Sequence, residues 1–488
     1  MHIVFVHTPM ATVEVPQREN FWRHFDARYH AAHPNLRPME NVLWELPHWM
    51  HWLGGVLMDR GYTSLQALSP YASACTMDGI DYERTKAALE AAPADLYLFS
   101  PMIPNLPFAL EIAQLAKTLH PNSKTVFGGV AATPLRREIA SHPAVDFVVF
   151  GRGEYALPTL VDCIVQGGDF DEVRNLARKL DSGELYISPF EYPWMPVRDI
   201  PPPKIDLFPS EVGRDIRYLR QVYALGCPYR CSFCTIQTIG QKADYFPIDR
   251  VVSEIRRYKE HYGNHHNIYF GDETFTVNSE RTLDICKALA EEGNVSYDIQ
   301  TRLNLLNDET VLNALKTSGC KWVEIGIESI NQDTQDRHKQ RSNLRVLEDS
   351  LKRVRDAGLP TCAFMVNGFP NQTLSDMRHS IDQACLLIER DLLHASYLFG
   401  LVPYPGSSLF DAPESFDMKI LHRDFRLYHE DLPPVYETPF ATSDQIFEVF
   451  LEGVEQLAST MAGPSSFLGL SSRMDRSSFG SFWQGSHV

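Results

Sequence analysis

Short apolar runs alternate with amphipathic stretches through the first 165 or so residues of the chain. The runs have the length of buried strands, whereas the stretches between them place apolar residues every three to four positions, as helices do. The predicted strands are residues 2–7, 65–69, 95–100, 124–128 and 146–150, and the predicted helices are residues 43–60, 82–91, 107–120, 135–141 and 155–165. Successive βα units predict a doubly wound parallel sheet, a Rossmann-like α/β domain that binds ligands at the carboxyl ends of its strands.

Two segments interrupt or end this first domain, which we assign to residues 1–180. The first crossover, residues 8–41, is long and rich in aromatic residues and histidine. It is predicted to lack regular structure, and such connections are usually functional or disordered. Residues 166–203 change to Gly, Asp and Pro and end in Pro201-Pro202-Pro203, which predicts a stiff linker over residues 181–212.

A second βα series follows the linker, over residues 213–403. Its predicted strands are residues 218–225, 267–271, 296–302, 322–328, 361–367 and 394–402, and its predicted helices are residues 249–261, 280–291, 308–318, 344–357 and 374–389. Several of these helices end at glycine, as helix C-caps favour. The series predicts a partial (β/α)6 barrel of the TIM type, with its active site at the carboxyl ends of the strands.

The remaining residues, 404–488, form a smaller and mostly helical segment that we expect to cover the site as a lid. A helix is predicted over residues 444–461, followed by a Ser/Gly-rich tail. That tail is a mobile terminus or docks on the body through its aromatic residues, Phe467, Phe479, Phe482 and Trp483.

Composition and charge narrow the functional class. At 488 residues the chain is too long for one core, so two or three domains are expected. A net charge of −17 argues against a nucleic-acid-binding surface. No apolar run is long enough to span a membrane, and the N-terminus has the pattern of a strand rather than of a signal peptide. Nine mostly scattered cysteines favour a reducing compartment, so we expect a cytoplasmic protein.

Three cysteines stand together in the segment Cys227-Pro228-Tyr229-Arg230-Cys231-Ser232-Phe233-Cys234, just after a predicted strand. Their thiolates can each hold one iron of a cubane cluster, and the fourth iron then has no protein ligand. Coincidence and a zinc site are the alternatives, but zinc requires a fourth Cys or His at motif spacing and none follows nearby. The other cysteines are predicted to be buried and inert: Cys75, Cys163, Cys286, Cys320, Cys362 and Cys385.

The spacing of these three cysteines resembles the signature of the radical S-adenosylmethionine (SAM) superfamily, which follows the first strand of a partial barrel. The resemblance implies a single [4Fe–4S] cluster whose open iron chelates the amino and carboxylate groups of SAM. It also implies an external one-electron donor of the flavodoxin or ferredoxin type. The electron cleaves the sulfonium and yields a 5′-deoxyadenosyl radical.

Further motifs of the superfamily are matched in order at the later strand ends. Gly271-Asp272-Glu273 resembles the motif that receives the methionine amino group, and Arg302 stands where family members hold the carboxylate. Glu328 and Ser329 resemble the Gly-x-Glu-Ser motif that contacts the ribose. Residues 368–370 and 403–406 resemble the turns that line adenine or substrate, so Tyr404 is a candidate catalytic residue.

Three turns of the N-terminal domain resemble those of cobalamin-binding domains, which implies a cobalamin-binding member of the superfamily. The first follows the third strand, the second is a Gly-Gly turn and the third is a Gly-x-Gly-Glu turn. The alternative is that a Gly-Gly pair only makes a tight turn. The residues carried over are Ser100, Met102, Pro104, Asn105, Gly128, Gly129, Val130, Thr133, Gly151 and Glu154.

One motif of other cobalamin enzymes is absent. The Asp-x-His-x-x-Gly sequence, whose His ligates cobalt from below, does not occur, and the first strand is followed by His7-Thr8-Pro9-Met10. We therefore expect base-off cobalamin without a His ligand. A side chain near Met102–Asn105 or in the first-strand loop would then meet the lower face of cobalt, and His7 stays an alternative.

The resemblance implies a methyltransferase that methylates an unactivated carbon, or phosphorus, of a small natural-product precursor through methylcobalamin and a 5′-deoxyadenosyl radical. A non-methylating cyclase or ring-rearranging enzyme is the alternative within radical chemistry, and a non-catalytic cobalamin sensor is the alternative from another class. The substrate is expected between the two domains. Candidate wall residues are Tyr404, residues 422–431 with Tyr428 among them, and residues 435–436. The oligomeric state is not specified by the sequence.

Overall fold

Two separate α/β sheets organise the chain in the computed structural model. It describes residues 1–11, 13–34, 36, 45–69, 71–191, 195–238, 240, 242–263, 267–339 and 341–465. One sheet has seven strands and the other has six. No helix in this part of the chain is both long and apolar enough to cross a bilayer.

The N-terminal sheet contains every strand predicted for it, each one or two residues shorter than predicted. Its strands are β1 (Ile3–Val6), β2 (Leu65–Ala67), β3 (Leu96–Phe99), β4 (Lys124–Phe127), β5 (Phe147–Val149), β6 (Leu176–Lys179) and β7 (Leu185–Ile187). The order is β2-β1-β3-β4-β5-β6-β7, and the first five strands are parallel. This order confirms the doubly wound fold.

The last two strands of this sheet were not predicted. β6 and β7 form an antiparallel hairpin that extends the sheet beyond β5. The Gly and Asp residues that suggested a linker form the turn of the hairpin, where Gly183 adopts a φ of +86°. The first residues of the predicted linker therefore belong to the sheet.

Each helix predicted for the N-terminal half is present, and the first and fifth helices of this half were not predicted. The helices of this half are α1 (Pro16–Ala32), α2 (His48–Asp59), α3 (Tyr82–Glu90), α4 (Leu106–Leu119), α5 (Gly129–Ala132), α6 (Arg136–Ser141) and α7 (Gly153–Gln166). The helix predicted over residues 43–60 begins only at His48, and residues 43 and 44 lie outside the described part.

The second sheet is an open barrel of six parallel strands in sequential order. They are β8 (Tyr218–Gln221), β9 (Asn267–Phe270), β10 (Tyr297–Arg302), β11 (Cys320–Glu328), β12 (Thr361–Asn367) and β13 (Ala395–Gly400). Its helices are α8 (Ile248–Tyr262), α9 (Ser279–Glu292), α10 (Glu309–Thr317), α11 (Gln332–His338), α12 (Leu347–Asp356) and α13 (Leu374–Glu389). Of these only α11 was not predicted, and the partial barrel is confirmed.

The prediction that the first crossover lacks regular structure is wrong, because α1 occupies its centre. The helix leaves its own domain and bonds to the barrel through buried polar side chains. The Tyr29 hydroxyl donates to Asp298, and His33 Nε2 lies 2.7 Å from the same carboxylate. Arg28 donates to the carbonyls of His394 and Met461, at 2.8 Å each.

Aromatic contacts complete this attachment of α1. Asp298, Trp322 and Tyr397 lie near the starts of their strands, and their register places them on the inner side of the barrel. The Phe25 ring lies 6.4 Å from that of Trp322, and the Phe21 ring lies 5.4 Å from that of Tyr397. Helix α1 therefore closes the amino end of the barrel as a floor.

The C-terminal segment contributes α14 (Ser408–Asp411) and α15 (Ser443–Met461), and α15 packs on α1 and α13. Helix α15 confirms the helix predicted over residues 444–461. Tyr428, predicted to line the substrate site, is fully buried in the core that includes Phe99 and Phe127, and its hydroxyl donates to the His422 carbonyl at 2.8 Å. That prediction was wrong because the segment folds onto the N-terminal sheet. The tail aromatics lie outside the described residues.

Candidate functional site

The three clustered cysteines lie on one loop at the carboxyl end of the barrel. Gly226 precedes them with a φ of +89°, and a Cβ there would lie 2.6 Å from the Lys242 carbonyl oxygen, so the turn requires glycine. The loop is anchored where the Ser232 hydroxyl meets His338 Nδ1 at 2.7 Å. Cys227 and Cys231 are buried, and Cys234 is partly open. The three cysteines pack in one small cluster of side chains, and their role as iron ligands stays a prediction.

The surroundings of the sulfur atoms suit an anionic metal cluster. Arg302 donates to Cys231 Sγ at 3.4 Å, and the Thr274 hydroxyl lies 3.8 Å from Cys227 Sγ. Burial raises the pKa of the Cys227 thiol, and that of Cys234 to about 12, and a bound metal would favour the thiolate form of both. In the described part of the chain, no three His, Cys, Asp or Glu side chains are grouped around a single-ion site. Three thiols of one loop, each for a separate iron, fit a cubane cluster.

Asp272 and Glu273, predicted together as SAM contacts, have different surroundings. Asp272 is buried, and its carboxylate accepts from the backbone N–H groups of Tyr223 and Ala224 at 2.6 and 3.1 Å. It therefore holds β9 to the cysteine loop and does not face a ligand. The Glu273 side chain is accessible to solvent. Protein atoms nevertheless surround its carboxylate, and the resulting desolvation raises its pKa to about 7.

Arg220 is a cation of the site that the sequence did not indicate. A Cβ on Gly271 would lie 2.7 Å from Arg220 Nε. The lack of a side chain at Gly271 therefore makes room for the Arg220 guanidinium. Arg220 pairs with Glu45 at 3.3 Å and lies over the Tyr269 ring at 5.4 Å. Its charge opposes the burial that raises the pKa of Glu273.

Arg302 connects the cysteine loop to a polar cavity. The guanidinium carbon lies 4.0 Å from the centre of the Tyr229 ring. The cavity, about 470 Å³ counted out to open solvent, lies at the carboxyl ends of β10 and β11. Its polar lining residues are Arg302, Asn304, Lys339, Arg341, Ser342, Asn343 and Ser350. Such a cationic cleft beside the cluster loop suits the carboxylate and hydroxyl groups of a SAM-sized ligand.

The Glu328–Ser329 pair is held by contacts that sequence reasoning missed. Glu328 adopts a φ of +69°, and its carboxylate pairs with Lys339 at 2.9 Å. Ser329 is fully buried, and its hydroxyl accepts from Gln372 Nε2 at 3.0 Å. The predicted ribose contact through the Ser329 side chain is therefore wrong, because that side chain is directed into the core. Lys339 directly follows α11 as its C-cap. Since α11 was not predicted, the role of Lys339 was missed.

The inside of the barrel contains a second set of polar groups above the floor. The Tyr269 hydroxyl donates to Glu324 at 2.5 Å, and burial raises the pKa of Glu324 to about 8. Glu430 lies at the barrel edge beside Tyr397, and burial raises its pKa to about 7. Tyr404 is half-buried nearby, and burial and Glu430 raise its pKa.

A large apolar cavity opens at the carboxyl edge of the N-terminal sheet. It has about 850 Å³ of empty space, counted out to the solvent at its mouth. Five of the residues that the sequence predicts as cobalamin contacts line it, namely Ser100, Gly128, Gly129, Gly151 and Glu154. The lining residues that were not predicted are Trp49, Trp52, Leu53, Leu98, Phe99, Val126, Val149, Gly153 and Leu157. An apolar slot of this size fits a flat heterocyclic tail.

One glycine of this cavity, Gly129, is required by close approach. A Cβ on Gly129, whose φ is +81°, would lie 2.2 Å from Ser100 Oγ. The Thr133 hydroxyl accepts from the Gly151 N–H at 2.9 Å, and so ties two turns together without lining the cavity. Missing side chains therefore leave a cradle that the predicted cobalamin tail fits.

The other predicted cobalamin residues lie outside the cavity. Met102 is 48% exposed, Pro104 is buried, and Val130 is half-buried in α5. Asn105 donates to the Thr8 carbonyl at 3.0 Å, while its own Oδ1 is buried without a partner. Burial lowers the pKa of His7 to about 4, so its imidazole is neutral.

The two domains approach each other at the turn after β13. A Cβ on Gly406, in the turn after β13, would lie 2.8 Å from Thr238 Cγ2 and 3.3 Å from Pro134 Cβ. Thr238 follows the cysteine loop, and Pro134 follows the Gly-Gly turn. The Leu409 N–H also donates to the Ser232 carbonyl at 3.1 Å. The turns at the carboxyl ends of the two sheets therefore lie next to each other.

Two family models match the two halves. Residues 222–384 match the Radical SAM superfamily, and residues 47–161 match the B12 binding domain. The chain is 29% identical over 344 residues to an uncharacterized methyltransferase of Pyrococcus horikoshii, covering 69% of this chain and 73% of that protein. It is 25% identical over 392 residues to the anaerobic magnesium-protoporphyrin IX monomethyl ester cyclase of Rubrivivax gelatinosus, covering 76% and 68% of the two chains. It is 25% identical over 352 residues to the hopanoid C-3 methylase of Methylococcus capsulatus, covering 67% and 62%.

Solved structures share the fold. The radical S-adenosylmethionine methyltransferase TsrM of Kitasatospora setae, with cobalamin and a [4Fe–4S] cluster bound, superposes with a TM-score of 0.68 at 14% identity. That superposition covers 94% of this chain and 89% of the other. The cobalamin-dependent radical enzyme OxsB superposes with a TM-score of 0.62 at 16% identity, covering 85% of this chain and 56% of OxsB.

Proposed function

The chain belongs to the cobalamin-binding radical SAM enzymes, a family of methyltransferases among others, and from this premise we propose that it methylates an unactivated carbon of a small natural-product precursor. The observation that carries this proposal is the Gly406 contact to both Thr238 and Pro134, which joins the cysteine loop to the cobalamin turn. A methyl donor and a radical generator would then face one substrate.

When bound, the cluster and SAM supply a hydrogen-abstracting radical, and cobalamin supplies the methyl group. The chain itself holds and orients these groups. Cys227, Cys231 and Cys234 would ligate the cluster, and Arg302 and Glu273 would orient the carboxylate and amino groups of SAM. The ion pair between Glu328 and Lys339 fixes the wall beside them. Apolar cavity walls exclude water from the cobalamin side.

For cobalamin we propose the base-off form without a His ligand. The Asp-x-His-x-x-Gly sequence is absent, and His7, the histidine at the first strand end, is the alternative ligand because burial keeps its imidazole neutral. The unpartnered Asn105 Oδ1 and Thr8 Oγ1 lie at neighbouring strand ends, where the amide side chains of a corrin ring could complete their hydrogen bonds.

The substrate would lie between the sheets, against Glu324 inside the barrel and Tyr404 and Glu430 at its edge. Buried carboxyl groups beside tyrosines suit a polar small molecule better than an extended hydrocarbon. Methylation at carbon is favoured over phosphorus because curated relatives named for their reaction include a hopanoid C-3 methylase and a bacteriochlorophyllide d C-12(1)-methyltransferase.

The test is anaerobic incubation of reconstituted enzyme with cob(I)alamin and SAM that carries a trideuterated methyl group, with a flavodoxin or ferredoxin reducing system added in a second reaction. We expect trideuterated methylcobalamin in the first reaction and 5′-deoxyadenosine in the second. Deoxyadenosine without methylcobalamin would support the cyclase alternative, which the Rubrivivax relative favours. Neither product from cluster-loaded protein would support a sensor.

A further inference from the structure

Two side chains at the cysteine loop, Tyr229 and Arg302, hold each other in place. Tyr229 stands between Cys227 and Cys231 in the loop, and Arg302 ends β10. The guanidinium carbon of Arg302 lies 4.0 Å from the centre of the Tyr229 ring. Both side chains are buried, so water screens this cation–π contact little. The aromatic ring of the loop therefore fixes the guanidinium against the loop.

The fixed guanidinium meets a cysteine sulfur directly. Arg302 Nη1 donates to Cys231 Sγ at 3.4 Å, and both residues are buried. Arg302 Nε donates to Asn304 Oδ1 at 3.5 Å. A guanidinium has five N–H donors, so the bond to sulfur leaves others for the SAM carboxylate that we assign to Arg302. The contact with Cys231 is therefore compatible with SAM binding and can be measured separately from it.

We propose that Arg302 raises the reduction potential of the cluster through its hydrogen bond to Cys231, and that Tyr229 positions Arg302 for this role. This inference rests on the cluster in the proposed function. The cluster takes one electron from the external donor, so its reduced form carries one more negative charge. A cation that donates an N–H to a ligand sulfur stabilises this added charge, and the buried surroundings strengthen the effect. Arg302 therefore makes the cluster easier to reduce, with or without SAM.

Thr274, which also lies near a cysteine sulfur, fits this role less well. Its hydroxyl is 3.8 Å from Cys227 Sγ, but it donates its hydrogen to the Glu273 carbonyl at 2.7 Å. A hydroxyl also carries no charge, so its effect on an added electron is small. Thr274 is therefore the control for a polar group beside the same cluster.

The test is a redox titration of cluster-loaded full-length protein without SAM, monitored by electron paramagnetic resonance after iron and sulfide have been quantified. Arg302→Gln should lower the ratio of reduced to oxidised cluster about tenfold at a fixed potential, which is a midpoint about 59 mV more negative. Tyr229→Leu should lower this ratio about threefold, because the guanidinium is no longer held. Tyr229→Phe, which keeps the ring, and Thr274→Val should leave it unchanged. In the Arg302→Gln background, Tyr229→Leu should add no further shift.

An unchanged potential in Arg302→Gln with a full cluster would overturn the proposal, since no SAM is present to act through. A further shift from Tyr229→Leu in the Arg302→Gln background would overturn the positioning role of Tyr229. If Arg302→Gln does not retain the cluster, the two Tyr229 variants decide, and equal potentials in Tyr229→Leu and Tyr229→Phe would again overturn the proposal. Wild-type protein that takes up no iron and sulfide would refute the cluster itself, and with it the proposed function.

Discussion

The two halves of the site recognise their ligands by different physics. The cobalamin cavity is apolar, and glycines such as Gly128 and Gly151 line it without filling it. The SAM side is made of charged groups that already have partners, such as Glu328 with Lys339 and Arg302 with Cys231. One half therefore selects by shape and the other by charge.

This difference predicts how each half responds to substitution. A shape-selecting cavity tolerates changes of charge nearby but fails when a methyl group enters it. A network of paired charges fails when one member is removed, because the other is left desolvated and unpaired. The following experiments test this contrast, from the largest expected effect to the smallest.

Cys231→Ser should abolish cluster binding, because a hydroxyl is a poor ligand for iron compared with a thiolate. Iron and sulfide content and the electron paramagnetic resonance signal of the reduced protein measure the effect, and deoxyadenosine formation should fall to background. Cys163→Ser is the control, since that buried thiol lies in the N-terminal domain and donates to the Asp169 carbonyl at 3.5 Å. A full cluster content in the Cys231 variant would refute the assignment.

Gly129→Ala should weaken cobalamin binding by about 30- to 100-fold, measured by absorbance titration. Its Cβ would lie 2.2 Å from Ser100 Oγ on a backbone with φ of +81°, so the turn must move into the cavity. Gly128→Ala is the matched control, because its Cβ would meet only the Val149 carbonyl oxygen at 3.5 Å. We expect a smaller loss there, and an equal loss at both positions would contradict the close-approach argument.

Lys339→Met should weaken SAM binding by about tenfold, because it keeps the length of the side chain but leaves the Glu328 carboxylate unpaired. Equilibrium dialysis with labelled SAM measures the effect, and cobalamin affinity should not change. The exposed pair of Lys352 with Asp349 provides the control, since Lys352→Met removes only a surface contact. Unchanged SAM affinity in the Lys339 variant would remove this ion pair from the site.

Glu324→Gln should raise the thermal midpoint of the ligand-free protein by about 1–3 °C at pH 8 and leave it unchanged at pH 4. The folded pKa of Glu324 is about 8, above its ordinary value, so the folded state holds a proton that the unfolded state has lost. Stability contributed by this group is therefore complete at low pH and decreases as pH rises toward 8. Calorimetry across this range tests the sign, and an identical pH profile in both proteins would show that Glu324 is hydrated.

Much of the architecture could be predicted from the sequence, because buried parallel strands are short apolar runs that end at glycine or at a polar turn. The site residues were predicted less well, since the sequence gives the strand end but not the direction of the side chain. Asp272 and Glu273 are adjacent, yet one holds the backbone and the other faces the site. Lys339 and Arg220 belong to no motif, so only the folded chain reveals them.

Helix α1 was missed for a related reason. It carries buried charged residues such as Arg28 that lack any apolar period, and their partners lie hundreds of positions away in the chain. Local pattern cannot show that a charged residue is buried when every group that satisfies it is distant.

Helix α1 also affects the order in which the chain can fold during its synthesis. Its bonds to Asp298, His394 and Met461 span 269, 366 and 433 residues, so α1 leaves the ribosome long before its partners exist. Until these partners have been synthesised, the aromatic side of α1 is exposed to solvent, which favours chaperone binding or aggregation. The two domains are consequently not interchangeable. A chimera that takes the first domain from a relative needs an α1 that matches the barrel. A barrel expressed from residue 213 onward would lack α1 and therefore its floor.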